Sequence, residues 1–548
     1  MNIRFYFTLL IFLCGSFNAG AELQLNRLVK EQQKNDNNTL QESRVEKKDV
    51  FSGSSDSTAS DIHFPKEDVC YRINELIIND DFLNTRATKN IRQQVAGKCL
   101  GAKGIEKAAV VLQDVFIKAG YVTTRIETPM QDLSTKKLIL SVTPGLIENV
   151  IIEDQDVHDW VLPFGKGDLL NIRHVEQGLE NLQKVPGVDV KINIVPGQQA
   201  GYSNIVIRTN RVKSWNARAS YNNWGDKSTG RQLVGGIGYL YNMAGMSDLF
   251  YIAGNSSNTG AYKSLSGYYS FPVGFWDYEL FYSHSESRQG ISLGFMDLDY
   301  LGKSEYLSLK GSRTLYRDMD KKFTGSAEIL RRKSNYRLGD IELALQKRDM
   351  GNLRLGVNYK QNLDNAALNS TLSWQRFLTW FGGEKTPDMV HGDVSPESEI
   401  FSLDVNYTKW LPVNSVRSYY EMHAGGQYTQ DTLTLQDQLT IGNRWNVRGF
   451  ENSTGIDGNK GFFMQNTLNM VTDYHHATLY LGADYGQISG DSYPQKAFNS
   501  KKLIGAAVGV KGNIKDLGYD ASISAPLVYP SSLNVDDFIM NFSLVYQL

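Results

Sequence analysis

Beyond a short apolar run at its start, this chain has no stretch near the roughly 20 consecutive apolar residues of a membrane helix. That excludes helical spans but not a transmembrane barrel, whose strands alternate between lipid and a polar lumen. A barrel keeps mean hydropathy low, as the value of −0.35 does here. Proline is scarce, at 13 of 548 residues, which suits many strands joined by short turns. A net charge of −2 gives no basic excess, so no nucleic-acid partner is expected. Catalytic and metal frames are missing too. His475-His476 lacks an HExxH frame and reads as solvated. Gly235-Gly236-Ile237-Gly238 has a phosphate-loop look, but no helix follows it. Asp297 and Asp299 read as loop or lumen surface rather than a cation site. The expectation is therefore no enzyme, no catalytic residue, no metal and no cofactor.

Residues 1–21 read as a secretory signal. Arg4 gives the charged start, Phe5 to Leu13 the apolar run, and Ala19-Gly20-Ala21 a small-x-small cleavage site. Lipoprotein processing at Cys14 is the weaker reading, because Phe12-Leu13 stand where small residues are needed. Only Cys70 and Cys99 then remain. In an exported chain they predict one disulfide closing a loop of about 30 residues, worth about 3 kcal/mol. Two unconnected buried thiols are the alternative.

Residues 22–50 are polar and favour helix, with Leu25, Leu28 and Val29 as their compact apolar patch. Residues 51–66 read as a linker, on the strength of SGSSDSTAS at 52–60. Mixed α/β texture follows in two similar units. In the first, 67–143, strands are expected at Tyr71–Ile78, Tyr121–Glu127 and Lys137–Val142. A short helix is expected at Ile91–Val95. Ile105, Ala108, Ala109, Leu112, Phe116 and Ala119 mark a longer one that stops at Gly120. Pro144-Gly145 opens the second unit, 144–210. It has strands at Leu146–Ile152, Asp189–Val195 and Asn204–Arg208, and two helical stretches, the clearer at Arg173–Gln183.

From residue 211 to 548 helical periodicity gives way to alternation. Leu353, Leu355, Val357 and Tyr359 alternate with polar residues or glycine; so do Phe401, Leu403, Val405 and Tyr407. Leu368, Leu372 and Trp374 form another such face. Phe538, Met540, Phe542, Leu544, Tyr546 and Leu548 close the chain on one side of a strand. A sandwich gives the same alternation. Its persistence without a helix, the export signal and the aromatic final strand favour a transmembrane β-barrel. At about 20 residues per strand and turn, the segment holds roughly 16 antiparallel strands.

In this order and spacing, the chain resembles the transporters of two-partner secretion, the TpsB family that exports haemolysins, haemagglutinins and contact-dependent toxins. Gly120 to Leu133 is similar to the end of the family's first POTRA domain, and Cys70 and Cys99 fall where many members have a cysteine bridge. Ser270 to Gly274 (SFPVG) is similar to its early barrel signature. Val447-Arg448-Gly449-Phe450 resembles its VRGY/F tetrapeptide, and Gly482-Ala483-Asp484 its G/F-x-D strand motif. The resemblance implies a plug helix, two periplasmic POTRA domains and a sixteen-strand barrel in the outer membrane. It further implies a long extracellular loop that carries the tetrapeptide into the lumen. The implied function is translocation of a large secreted exoprotein, with possible activation of a toxin client. The alternatives are a barrel-assembly insertase of the same superfamily, a passive porin and a secreted adhesin. The chain is expected to act as a monomer in outer-membrane lipid. Its terminal Leu548 departs from the Phe with which many such barrels end.

The residues support one pairing on their own. Leu479, Leu481, Ala483 and Tyr485 make an apolar face, so Tyr480, Gly482, Asp484 and Gly486 face inward. Asp484 has glycines two residues to either side, which leaves room for an incoming loop. Gly449 permits a sharp turn after Arg448. Guanidinium meets carboxylate in a two-pronged geometry that Lys cannot copy. Arg448 and Asp484 are expected to pair in the lumen.

Overall fold

The computed structural model describes residues 61–548, apart from 154–156, 212, 293–296, 381–382, 414–415, 452–453, 473–476 and 490–500. The signal segment with Cys14, the helix expected in 22–50, most of the 51–66 linker and His475-His476 lie outside the described residues.

In the first unit, Lys137–Thr143 is the central strand. Glu75–Asn79 runs parallel to it and Arg125–Glu127 antiparallel. The strand expected at Tyr71–Ile78 is broken in two. Tyr71–Arg72 pairs with Cys99–Leu100, and the amides of Ile73 and Asn74 turn to Lys98 O and Lys136 O. The strand expected at Tyr121–Glu127 is shorter, because Tyr121 N and Thr124 N close turns onto Phe116 O and Tyr121 O. Thr85 caps the first helix, Arg86–Val95, which therefore begins before the Ile91–Val95 signal. Glu67 accepts from Gly101, Lys103 and Gly104 amides at the start of the second, Ala102–Lys118. Ala108, Leu112 and Phe116 turn inward onto Leu138 and Leu140. Cys70 and Cys99 are disulfide-bonded, with Cα atoms 5.3 Å apart.

The second unit repeats the plan, with Tyr202–Arg211 between Leu146–Ile152 and Val188–Pro196. Of its two expected helical stretches, the clearer is the helix Ile172–Gln183 and the other only a 3₁₀ turn, Asp159–Val161. Gly120 joins the units. At φ +98° its carbonyl accepts from Ile172 N, and an added Cβ would lie 2.2 Å from Asn171 Oδ1.

Sixteen antiparallel strands then close into a barrel, with a two-residue spur, Ile341–Glu342, on the seventh. The first, Trp215–Asn222, pairs with the last, Ile539–Gln547. The alternation sorts the faces: Leu355, Leu372, Leu403 and Leu481 are 43–55 % exposed on the outside. Gly235 to Gly238 lie within the strand Leu233–Tyr241. Asp297 opens the strand Asp297–Arg317, where Asp299 O accepts from Gly339 N. No described cluster of His, Cys, Asp and Glu could hold a metal ion.

The second unit docks on one rim of the barrel through Ile172–Gln183. Asn181 Nδ2 donates to Val161 O and to Gly274 O, both at 2.7 Å. Gly274 N in turn donates to Trp160 O at 3.0 Å. The segment Ser270 to Gly274 thus ends in the turn that receives this unit. Glu180 pairs with Arg317 (2.7 Å) and Lys322, and Lys184 with Asp277. His174 lies edge-on to Phe275, 5.1 Å between centroids.

Candidate functional site

Residues 429–459 join the strands Val416–Tyr428 and Lys460–Val471 at the end away from the docked unit. Instead of projecting outward, this loop folds back into the barrel. A short ribbon, Leu439–Ile441 against Ile456–Gly458, brackets its tip.

The tip is held by Arg448. Its Nε and Nη2 donate to the two oxygens of Asp484, both at 2.7 Å, and its own backbone N donates to Oδ2 at 2.9 Å. Nη2 also reaches Asn466 O at 2.8 Å. This is the two-pronged geometry in a dry setting, for the Asp484 side chain is 0 % exposed. A buried pair is costly to break from one side, since about 3–5 kcal/mol of uncompensated charge remains. Gly482 supplies the room: a Cβ there would lie 2.2 Å from Arg448 Nη2.

The other motif residues hold the turn. Gly449 has φ +95°, and an added Cβ would lie 2.4 Å from Ala525 O. Val447 and Phe450 are buried with Ile441, Ile456, Ile488 and Leu503 in a small apolar core. The wet lumen that the alternation suggested is thus dry around the tip. The structure brings Val447, Arg448, Gly449 and Phe450 together with Gly482 and Asp484. Cys70 and Cys99 belong to the first α/β unit and are far along the chain from this site.

A second anchor escaped the sequence reading. Asp437, in the arm that leads to the tip, is 8 % exposed and accepts from Arg332 Nη1 (3.4 Å) and Thr434 Oγ1 (2.9 Å). Arg332 also donates to Gln436 O, and Gln436 to Ser334 Oγ. Arg332 is on the seventh barrel strand, Lys321–Leu338, while Asp484 is on the thirteenth, Thr478–Ser489. The loop is therefore fastened to two separate walls. Asp437 sits in a segment without periodicity, so nothing in the sequence assigns it a face.

Comparison with known proteins agrees with this architecture. The family model for haemolysin secretion/activation proteins (ShlB/FhaC/HecB) matches residues 201–512, and POTRA models match 75–145 and 147–196. The outer membrane transporter CdiB-2 of Burkholderia pseudomallei (strain 1026b) is 28% identical over 465 residues. That match covers 82% of this chain and 79% of the relative. The hemolysin transporter protein ShlB of Serratia marcescens is 28% identical over 399 residues, 71% of each chain. The fold is similar to that of CdiB from Acinetobacter baumannii, with a TM-score of 0.81 at 23% identity, covering 95% of this chain and 98% of that one. These matches place the barrel in the outer membrane and the POTRA domains in the periplasm. They favour translocation of a partner exoprotein over the barrel-assembly alternative. A sixteen-strand barrel, two POTRA domains and a lumen loop matched to the family over more than half the sequence mean that the chain belongs to the haemolysin secretion/activation protein family of outer-membrane transporters.

Proposed function

We propose that the client is a large exoprotein of the haemolysin, haemagglutinin or contact-dependent toxin type. It is captured in extended form by the POTRA sheets and threaded through the barrel by a single copy of this chain set in outer-membrane lipid. Strand addition needs a free edge: Val188–Pro196 has one, and Leu146–Ile152 has one beyond Ile147, its start being taken up by Gly167–Leu169. Ile151 and Val195 on them are exposed. The lumen loop is the barrier: the Arg448–Asp484 pair favours its inserted position, and passage requires that pair to part. Folding of the client outside biases the direction, and activation of a toxin client belongs to the same reading.

The observation that carries this reading is the buried, two-pronged Arg448–Asp484 contact inside a closed barrel. The test is secretion of a co-expressed partner exoprotein into the medium, scored as a double-mutant cycle. Arg448→Ala and Asp484→Ala each impair export, and the double variant does no worse than the poorer single one. Strictly additive losses would remove the pairing. A partner secreted equally well without this chain would remove the function.

A further inference from the structure

The barrel closes where its first strand meets its last, and this seam is the shortest ladder in the ring. Trp215–Asn222 and Ile539–Gln547 share five residue pairs, whereas Trp215–Asn222 and Leu233–Tyr241 share eight. Single backbone bonds extend the seam at either end, Asn223 N to Phe542 O at 3.3 Å and Leu548 N to Ala217 O at 2.9 Å, and beyond Asn222 a side chain adds to them. Asn223 Nδ2 donates to Met540 O at 2.7 Å, and Asn223 Oδ1 accepts from Phe542 N at 2.9 Å, as a strand backbone would. Further along, Lys227 meets Asp536, just ahead of the last strand, at 2.7 Å. The first extracellular loop, 223–232, is thus part of the seam.

The same loop receives the tip of the lumen loop. The Arg444 guanidinium lies 3.3 Å over the Trp224 ring and 5.0 Å from the centre of Trp445. Glu451, three residues after Arg448, pairs with Arg231 and with Lys227 (3.1 Å), and its side chain is only 12 % exposed. Arg231 also faces Asp536 at 3.6 Å. Two cations are therefore shared by two carboxylates, one on the lumen loop and one across the seam.

We propose that the loop 223–232 is a latch common to the lumen loop and the seam, with Glu451 as its positioning residue. Withdrawal of the loop tip takes away one of the two carboxylates and leaves Lys227 and Arg231 repelling each other beside the shortest ladder of the barrel. The seam then loosens. A coupling of this kind is reciprocal: whatever loosens the seam must also loosen the loop tip by the same free energy.

Hydrogen exchange on the full chain in lipid nanodiscs tests this in both directions. Glu451→Gln speeds exchange at Asn541–Val545 about two- to fivefold, the factor that a partly exposed ion pair commands. Asp536→Asn, on the other side of the seam, speeds exchange at 442–451 by a similar factor. The distant strand Ala366–Leu378 is unchanged in both. High salt narrows the gap between wild type and variants, since it screens both the attraction to the carboxylates and the Lys227–Arg231 repulsion left without them, a response that lost packing would not give. The proposal is overturned if each substitution affects only its own segment, or neither affects any. Should Glu451→Gln fail to assemble, the half-exposed Asp536→Asn decides alone, by exchange at 442–451. The measurement needs no client, so its failure would leave the transport reading standing.

Discussion

Gly505 has no room for a side chain: an added Cβ would lie 1.7 Å from the carbonyl oxygen of Arg448. That oxygen belongs to the backbone of the pinned turn, which cannot yield as the end of a guanidinium can. Gly505→Ala should therefore expel the loop tip as effectively as loss of Asp484. Gly482→Ala, which crowds only the far end of Arg448, should be milder. Single-channel conductance in planar bilayers checks the order: frequent large openings for Gly505→Ala, fewer for Gly482→Ala, and rare ones in the wild type. Equal openings in both variants would show that side-chain clearance, not the backbone contact, sets the loop position. Asp484 was legible in the sequence because a strand has a strict period, which placed it inward with two glycines around it. Asp437 and Glu451 were not legible, because a loop has no period and the partners Arg332, Lys227 and Arg231 are distant in sequence.

Among the elements, helices and central strands were easier to read than short edges. Ile105, Ala108, Leu112 and Phe116 announced Ala102–Lys118 by spacing alone. The break at Ile73-Asn74 had no such signal, since it is imposed by hydrogen bonds to Lys98 and Lys136. The docking role of Ile172–Gln183 had no signal either: spacing marks a helix there but not a partner for its polar residues, yet Arg173, Glu176, Gln177 and Asn181 are all buried. This contact contains a pH-sensitive group. Burial pushes the His174 imidazole below its usual 6.5, and Asp168 opposes the shift only in part. A lowered folded value means that the neutral form is favoured. Its contribution is fully present above about 6.5 and fades as pH falls through the lower folded value. Docking should therefore weaken in mild acid. Spin-label distances between this helix and the barrel rim should broaden between about pH 7 and pH 5. In His174→Gln that broadening should disappear; a wild-type distance constant over this range would count against it.

On the scale of the whole molecule, the strand number could be anticipated because length divided by strand-plus-turn leaves little freedom, and a closed ring that is antiparallel throughout needs an even count. What length could not give was how the parts depend on one another. The first POTRA unit has its own core around Leu112, Phe116, Leu138 and Leu140, and a disulfide separated by 29 residues. Cross-linking a loop of that size stabilises by about 3 kcal/mol, a large share of the 5–15 kcal/mol typical of small domains. The barrel is held by a closed ring of strand ladders in which neither cysteine takes part. Reduction of Cys70–Cys99 should therefore lower the unfolding temperature of the first unit in calorimetry and leave that of the barrel unchanged. The second unit stands between them, joined to the first at Gly120 and to the barrel through Asn181 and Glu180. If reduction lowers the barrel transition as well, those junctions carry enough free energy to make the chain unfold as one body. In that event POTRA and barrel would have to move together during transport.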